Sequence, residues 1–195
     1  MALSFILASH SPRRLELLTA AGFEFETISP NVEERFDADL TLCELTLFNA
    51  RRKAAAVARL HPEAVVLAAD TLVALDGEII AKPIDLKHAT RILQRLSGRV
   101  HEVCSAVCIF HFARTRSTSF HEVSHVRFRL LNRNQIDEYI SKVNPLDKAG
   151  AYAAQGHGAE VIAQIDGSLT NVVGLPMEKT VPVLHSFGIV PKSAV

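Results

Sequence analysis

Apolar and polar positions change period several times along the chain, and each change marks an element. Residues 3–8, LSFILA, form a short apolar run that suits a buried strand. Ser11-Pro12 then puts proline at the first position of a helix whose apolar side is Leu15, Leu17 and Leu18, and Gly22 ends it. FEFETI at 23–28 alternates and predicts a second strand. A helix of roughly 18 residues follows Thr41, where alanines and long basic side chains favour helix. AVVLAAD at 64–70 is a continuous apolar run ending in a carboxylate, the pattern of a strand buried on both faces.

Asp76-Gly77 is the strongest hairpin signal, joining TLVAL to EIIA through a two-residue turn. That turn sets Leu75 opposite Glu78 and Thr71 opposite Lys82, which brings Lys82 beside Asp70, with Pro83 breaking the ladder there. Residues 86–97 and 133–143 read as amphipathic helices, and 99–112 with 118–130 as a long ribbon turning near Arg114–Ser117. A glycine-containing loop spans Pro145 to Gly158. AEVIAQID then predicts a strand, Asp166-Gly167 a turn, and Pro176 opens the last helix. Alternating helices and strands with antiparallel ribbons predict a mixed-sheet α/β fold. No linker or low-complexity segment divides the chain, so residues 1–195 read as a single domain.

Composition narrows the function. The 195 residues suffice for a full core. The 21 Lys and Arg balance the 21 Asp and Glu, so the basic excess that a nucleic-acid polymer demands is absent. A few local cations still suffice for a small anionic ligand. Cys43, Cys104 and Cys108 are odd in number with no C-x-x-C spacing, which argues against a disulfide framework, and Cys104 and Cys108, four apart on one face of a strand, read as buried free thiols. The nine histidines show no zinc spacing. The apolar start is too short for a signal peptide and no stretch is long enough to span a bilayer, so the expectation is a cytoplasmic protein with no membrane partner.

Two sites carry candidate chemistry. Ser9-His10-Ser11-Pro12-Arg13-Arg14 is a strand–turn–helix junction, where free backbone N–H groups and the helix dipole favour an anion. A self-satisfied capping box would want Glu or Gln three residues after Ser11; Arg14 stands there instead. An ordinary cap with solvated arginines is the plainer alternative. The second site is Asp70-Thr71, because a carboxylate ending an apolar run must be paired, hydrogen-bonded or bound to metal. Taken alone, a structural Asp–Lys ion pair is the plainer account of it. Glu33-Glu34, Arg51-Arg52-Lys53 and Asp147-Lys148 to Gln155 would not stand out alone.

Taken together the motifs resemble the Maf family of nucleoside triphosphate pyrophosphatases. In order they are LASHSPRR near the start, VEE at 32–34, KA at 53–54, AADTLVALDGEIIAKP at 68–83, LSG at 96–98, DKAGAYAAQG at 147–156 and NVVGLP at 171–176. Arg13, where the branch acting on methylated GTP has a bulky aromatic residue, and the DKAGAY…QG wording resemble the branch that hydrolyses dTTP and UTP. Arg52, where relatives often carry Glu, and His10, where a small residue is common, depart from the pattern. The resemblance implies an ITPase-like fold, with a curved mixed sheet flanked by helices and two lobes around a cleft. It also implies a divalent cation (Mg²⁺ or Mn²⁺), a nucleoside triphosphate substrate and a homodimer. Asp70 matches the proton acceptor; Ser9, Arg13, Arg14, Lys53 and Lys82 match positions holding the triphosphate; Glu34 matches a carboxylate that anchors metal or its water. Arg13, Thr71 and Gln155 match positions that set base specificity, while the metal ligands stay open. A non-catalytic nucleotide-binding regulator of cell division and a 7-methyl-GTP pyrophosphatase are the competing expectations.

Overall fold

A computed structural model describes residues 3–36 and 39–192. In chain order its elements are β1 (Phe5–Leu7), α1 (Pro12–Ala20), β2 (Glu26–Thr27), α2 (Leu42–Ala58), β3 (Val65–Leu75), β4 (Glu78–Ile80), α3 (Leu86–Leu96), β5 (Val100–His111), β6 (Arg116–Phe128), α4 (Arg133–Lys142), a 3₁₀ turn (Ala149–Ala151), α5 (Gly158–Val161), β7 (Ile162–Asp166), α6 (Leu169–Val173) and α7 (Met177–Ser186). One seven-stranded sheet runs in the order β2-β1-β3-β5-β6-β7, with β4 hydrogen-bonded to the far end of β3. The β1 pairings are parallel and those from β3 onward antiparallel, giving the mixed sheet that the sequence predicts.

β3 organises the fold because its eleven residues run through both lobes. Side chains alternate across a strand. Val65, Leu67 and Ala69 therefore pack with Leu18 of α1 and Leu184 of α7, whereas Val66 and Ala68 pack on the opposite face against Ala50, Ala54 and Val57 of α2. Beyond Thr71 the strand enters a separate core, where Val73 and Leu75 meet Ile92 and Leu93 of α3 and Ile136 and Tyr139 of α4. Asp70 and Thr71 stand where one core ends and the other begins.

The hairpin turn forms as its residues require. Asp76 and Gly77 both take positive φ, 54° and 80°, and Leu75 faces Glu78. The ladder nevertheless stops at Val73 opposite Ile80. The expected pairing of Thr71 with Lys82 does not form: β4 ends at Ile80, while β5 pairs along the other edge of β3, where Thr71 meets Ser105. FEFETI contracts to the two residues of β2: the Phe23 amide closes the end of α1 on the Leu18 carbonyl, and Phe23 and Phe25 both pack edge-on against Phe5. AEVIAQID begins as helix and not as strand. The Gly158 amide bonds the Gln155 carbonyl, and a Cβ there would lie 2.7 Å from the Ala153 carbonyl oxygen, so only glycine fits. Helix α6 overlaps the first half of the NVVGLP motif, where the sequence predicts no helix.

His101 on β5 is buried with its ring edge-on to Phe128 and Tyr152, and its Nε2 lies 2.8 Å from the Tyr152 hydroxyl. Burial lowers the imidazole pKa from 6.5 to about 4. The unfolded chain therefore binds a proton that the folded one refuses. The resulting stabilisation is complete above pH 6.5 and is lost as pH falls toward 4. Between pH 7 and pH 5 the native protein is expected to lose about 2 kcal/mol more unfolding free energy than a His101→Gln variant. Urea titrations at the two pH values check this, and parallel losses would show that the imidazole is protonated in the fold.

Candidate active site

A cleft of about 520 Å³ opens beyond the end of β1 and is walled by both lobes. Continuing the alternation of β3, Asp70 points to the same face as Val66 and Ala68, which is the α2 face. There the Lys53 ammonium donates to Asp70 Oδ1 at 2.6 Å and to Glu34 Oε1 at 2.6 Å. Lys53 and Asp70 are both buried. Glu34 reaches this point because α2 grips the preceding loop along one face. Asn49, one turn before Lys53, accepts from the Arg35 amide and donates to the Arg35 carbonyl, while Arg52 donates to the Glu33 carbonyl. Lys82 adds a second cation, 3.6 Å from Glu34 Oε2.

The result is an alternating row of charges: Asp70, Lys53, Glu34, Lys82. Lys82 enters through Glu34 and not beside Asp70 as the hairpin register predicts, since the ladder has already ended. Burial works to raise the Glu34 pKa, but the charge and hydrogen bond of Lys53, helped by Lys82 and Arg14, hold it below the usual carboxylate range. Asp70 Oδ2 is buried at the cleft wall with no hydrogen-bond partner. An orphaned carboxylate oxygen in that setting is costly unless something else meets it.

Thr71 takes the opposite face and meets Arg14. The Arg14 guanidinium donates to Thr71 Oγ1 at 3.0 Å, Ser9 Oγ at 3.1 Å and the Gly174 carbonyl at 2.9 Å. Far from being solvated, Arg14 is a buried clamp joining the start of α1, the middle of β3 and the end of α6. Burial lowers its pKa, and the Asp70 charge opposes that shift. Gly174 is anchored in turn through Asn171, whose side chain accepts from the Ser105 amide and donates to the Val103 carbonyl and Ser124 Oγ. A side chain at Gly174 would be strained by its φ of +128°.

Arg13 reaches across the mouth to Asp147 at 3.2 Å, and Asp147 is also held by Lys148 at 2.6 Å. Ser9, Arg13, Arg14, Glu34, Lys53, Asp70, Thr71 and Lys82 all line the one cleft. Gln155 does not: it is exposed on the loop just after Ala153 and Ala154, which do line it. Asn49, Ser105, Asp147 and Asn171 escaped the sequence reading as site residues. Only Asp147 and Asn171 had a signal, since both lie inside motifs already quoted.

The wall carries five cations (Arg13, Arg14, Lys53, Lys82 and Lys148) against three carboxylates (Glu34, Asp70 and Asp147). This surplus suits a polyanion. Arg14→Lys keeps the charge but cannot hold three partners in a fixed fork. It is expected to destabilise the fold by about 1–3 kcal/mol through the acceptors left unpaired. Denaturant unfolding measures this, and an unchanged midpoint would mean that the clamp is dispensable.

Residues 4–187 match the Maf-like protein family. The dTTP/UTP pyrophosphatase of Bacillus pumilus is 46% identical over 186 residues, covering 95% of this chain and 97% of that protein. The dTTP/UTP pyrophosphatase of Symbiobacterium thermophilum is 45% identical over 183 residues, covering 94% and 93%. A solved HAM1 protein from Coxiella burnetii is a distant likeness, with TM-score 0.42 and 18% identity over 65% of this chain and 73% of that one. With a family match spanning nearly its whole length, the chain belongs to the Maf-like proteins.

Proposed function

We propose that this protein hydrolyses dTTP and UTP to the nucleoside monophosphate and pyrophosphate. The observation that carries the reading is Asp70: one oxygen is fixed by Lys53, and the other is unpartnered at the wall of a cation-rich cleft. A carboxylate held this way can orient a water and take its proton as the water attacks the α-phosphorus. Negative charge then builds on the departing pyrophosphate, and Arg13, Lys82 and Lys148 are the cations placed along the cleft to receive it. Lys53 keeps Asp70 aimed and Glu34 keeps Lys53 aimed.

Among the described residues, no cluster of three or more His, Cys, Asp and Glu side chains forms a ready-made metal cage. The donor set still suits a hard cation that arrives on the triphosphate and keeps several waters, which is how Mg²⁺ is usually bound. The Glu34 carboxylate would hold it, which leaves Asp70 Oδ2 free for the water. Its contribution when bound is to neutralise charge on the phosphate oxygens.

The base preference is supported by the two relatives named dTTP/UTP pyrophosphatase. A Gln155 amide turned into the cleft can accept from the N3–H of thymine or uracil and donate to O4. Gln155 is exposed next to Ala153 and Ala154, which line the cleft with Arg13 and Thr71, and the three would together limit how the base enters. With a panel of triphosphates, dTTP and UTP should give the highest kcat/KM, with CTP and purine nucleotides at least roughly tenfold lower. Fastest turnover of GTP or 7-methyl-GTP would overturn the base preference but not the pyrophosphatase chemistry.

Asp70→Asn should abolish pyrophosphate release while nucleotide binding stays measurable by calorimetry. The substitution is nearly isosteric and leaves Lys53 its Glu34 partner. Near-normal turnover would make Asp70 a structural ion-pair residue. Arg13→Ala and Lys82→Ala should each reduce kcat/KM by about 2–4 kcal/mol. Wild-type kinetics for both would place the triphosphate elsewhere.

A further inference from the structure

Two thiols meet between α2 and the sheet. Cys43 lies in the first turn of α2 and is partly exposed; Cys104 is buried on β5. Their sulfur atoms are 3.6 Å apart although the residues are 61 positions apart in sequence. A disulfide requires about 2.05 Å, so the gap to close is roughly 1.5 Å, within reach of small side-chain rotations. The third cysteine, Cys108, is four residues further along β5 and packs with the alanines of α2.

We propose that Cys43 and Cys104 form a peroxide-responsive thiol pair that closes into a disulfide between α2 and β5. The chemistry needs a peroxide as oxidant and proceeds in two steps. Cys43, the exposed member, attacks the terminal peroxide oxygen; the O–O bond breaks, and water leaves with Cys43 as a sulfenic acid. The Cys104 sulfur then attacks the Cys43 sulfur, the S–O bond breaks, and the hydroxyl leaves as a second water carrying the Cys104 proton. Two thiols are oxidised by two electrons in all, and one peroxide is reduced to two waters. Burial pushes the Cys104 pKa up and keeps that sulfur protonated, which leaves Cys43 as the first target. The bond would restrain the first turn of the helix that carries Asn49, Arg52 and Lys53.

The test treats the full-length protein with hydrogen peroxide, blocks remaining thiols by alkylation under denaturing conditions, and maps peptides by mass spectrometry. Two of the three thiols should become protected, with a loss of about 2 Da and a peptide joining residues 43 and 104 that dithiothreitol reverses. In Cys43→Ser, which alters only a partly exposed position, Cys104 and Cys108 should both remain alkylatable. In Cys104→Ala, Cys43 should collect oxygen without any cross-link. Three persistent thiols in the native protein would overturn the proposal. So would oxygen added to Cys43 with Cys104 free, or cross-links only between separate chains.

Discussion

The Lys53 ammonium sits between two carboxylates at 2.6 Å each, one on β3 and one on the loop before α2, and the surrounding structure is arranged to keep it there. Burying an unpaired ammonium or carboxylate costs several kcal/mol, and removing one partner from a buried pair costs about 3–5 kcal/mol. The constraint therefore propagates outward. Helix α2 must lie against β3 through small residues, and Ala50, Ala54 and Val57 allow that close approach. The loop carrying Glu34 must be pinned, and Asn49 and Arg52 pin it from the same helix. The buried cleft lysine and the packing of its helix are here a single problem.

The other face of β3 solves the matching problem with hydrogen bonds to neutral groups. Arg14 spends three donors on Ser9, Thr71 and Gly174, so the start of α1 and the end of α6 are fixed to the same strand that carries Asp70. Adjacent residues of one strand, Asp70 and Thr71, thus organise two different walls. The alternation of the strand does this without any special backbone geometry. It also explains why the cleft falls where the two cores part: a polar pair in mid-strand, faced by Ser105 on β5, is a position that neither core can use.

Much of this was legible in the order of residues. The long apolar run ending in Asp70 announced a buried carboxylate, and Asp76-Gly77 announced the turn that followed it. The departure at Arg14 from a self-satisfied cap pointed to the junction at α1. Illegible features depended on partners distant in sequence. That Thr71 meets Ser105 depends on a strand some thirty residues away on the other edge of β3, and the turn sets the register of β4 but not where its ladder ends. The helical start of AEVIAQID follows a turn closed by the Gly158 and Glu160 amides on the Gln155 and His157 carbonyls, which periodicity does not encode. Asn49 and Asn171 look like ordinary polar residues until the loop and strands they bind are in place.

Charge pairing in the cleft bears on how the proposed substrate is held. Lys53 and Lys82 share Glu34, Arg13 is engaged by Asp147, and Lys148 shares that carboxylate. A triphosphate would enter a set of cations already oriented by internal partners, so its binding energy is the difference between two sets of contacts. Tight ground-state binding does not raise kcat; contacts that strengthen as charge develops do. Exposed pairs such as Arg13–Asp147 are weak, about 0–1 kcal/mol, and exchange partners readily. The buried Lys53–Asp70 pair is not exchangeable on the same terms. The cleft thus combines a fixed element beside the proposed reacting water with adjustable cations toward the mouth, the division of labour that hydrolysis of a mobile polyanion requires.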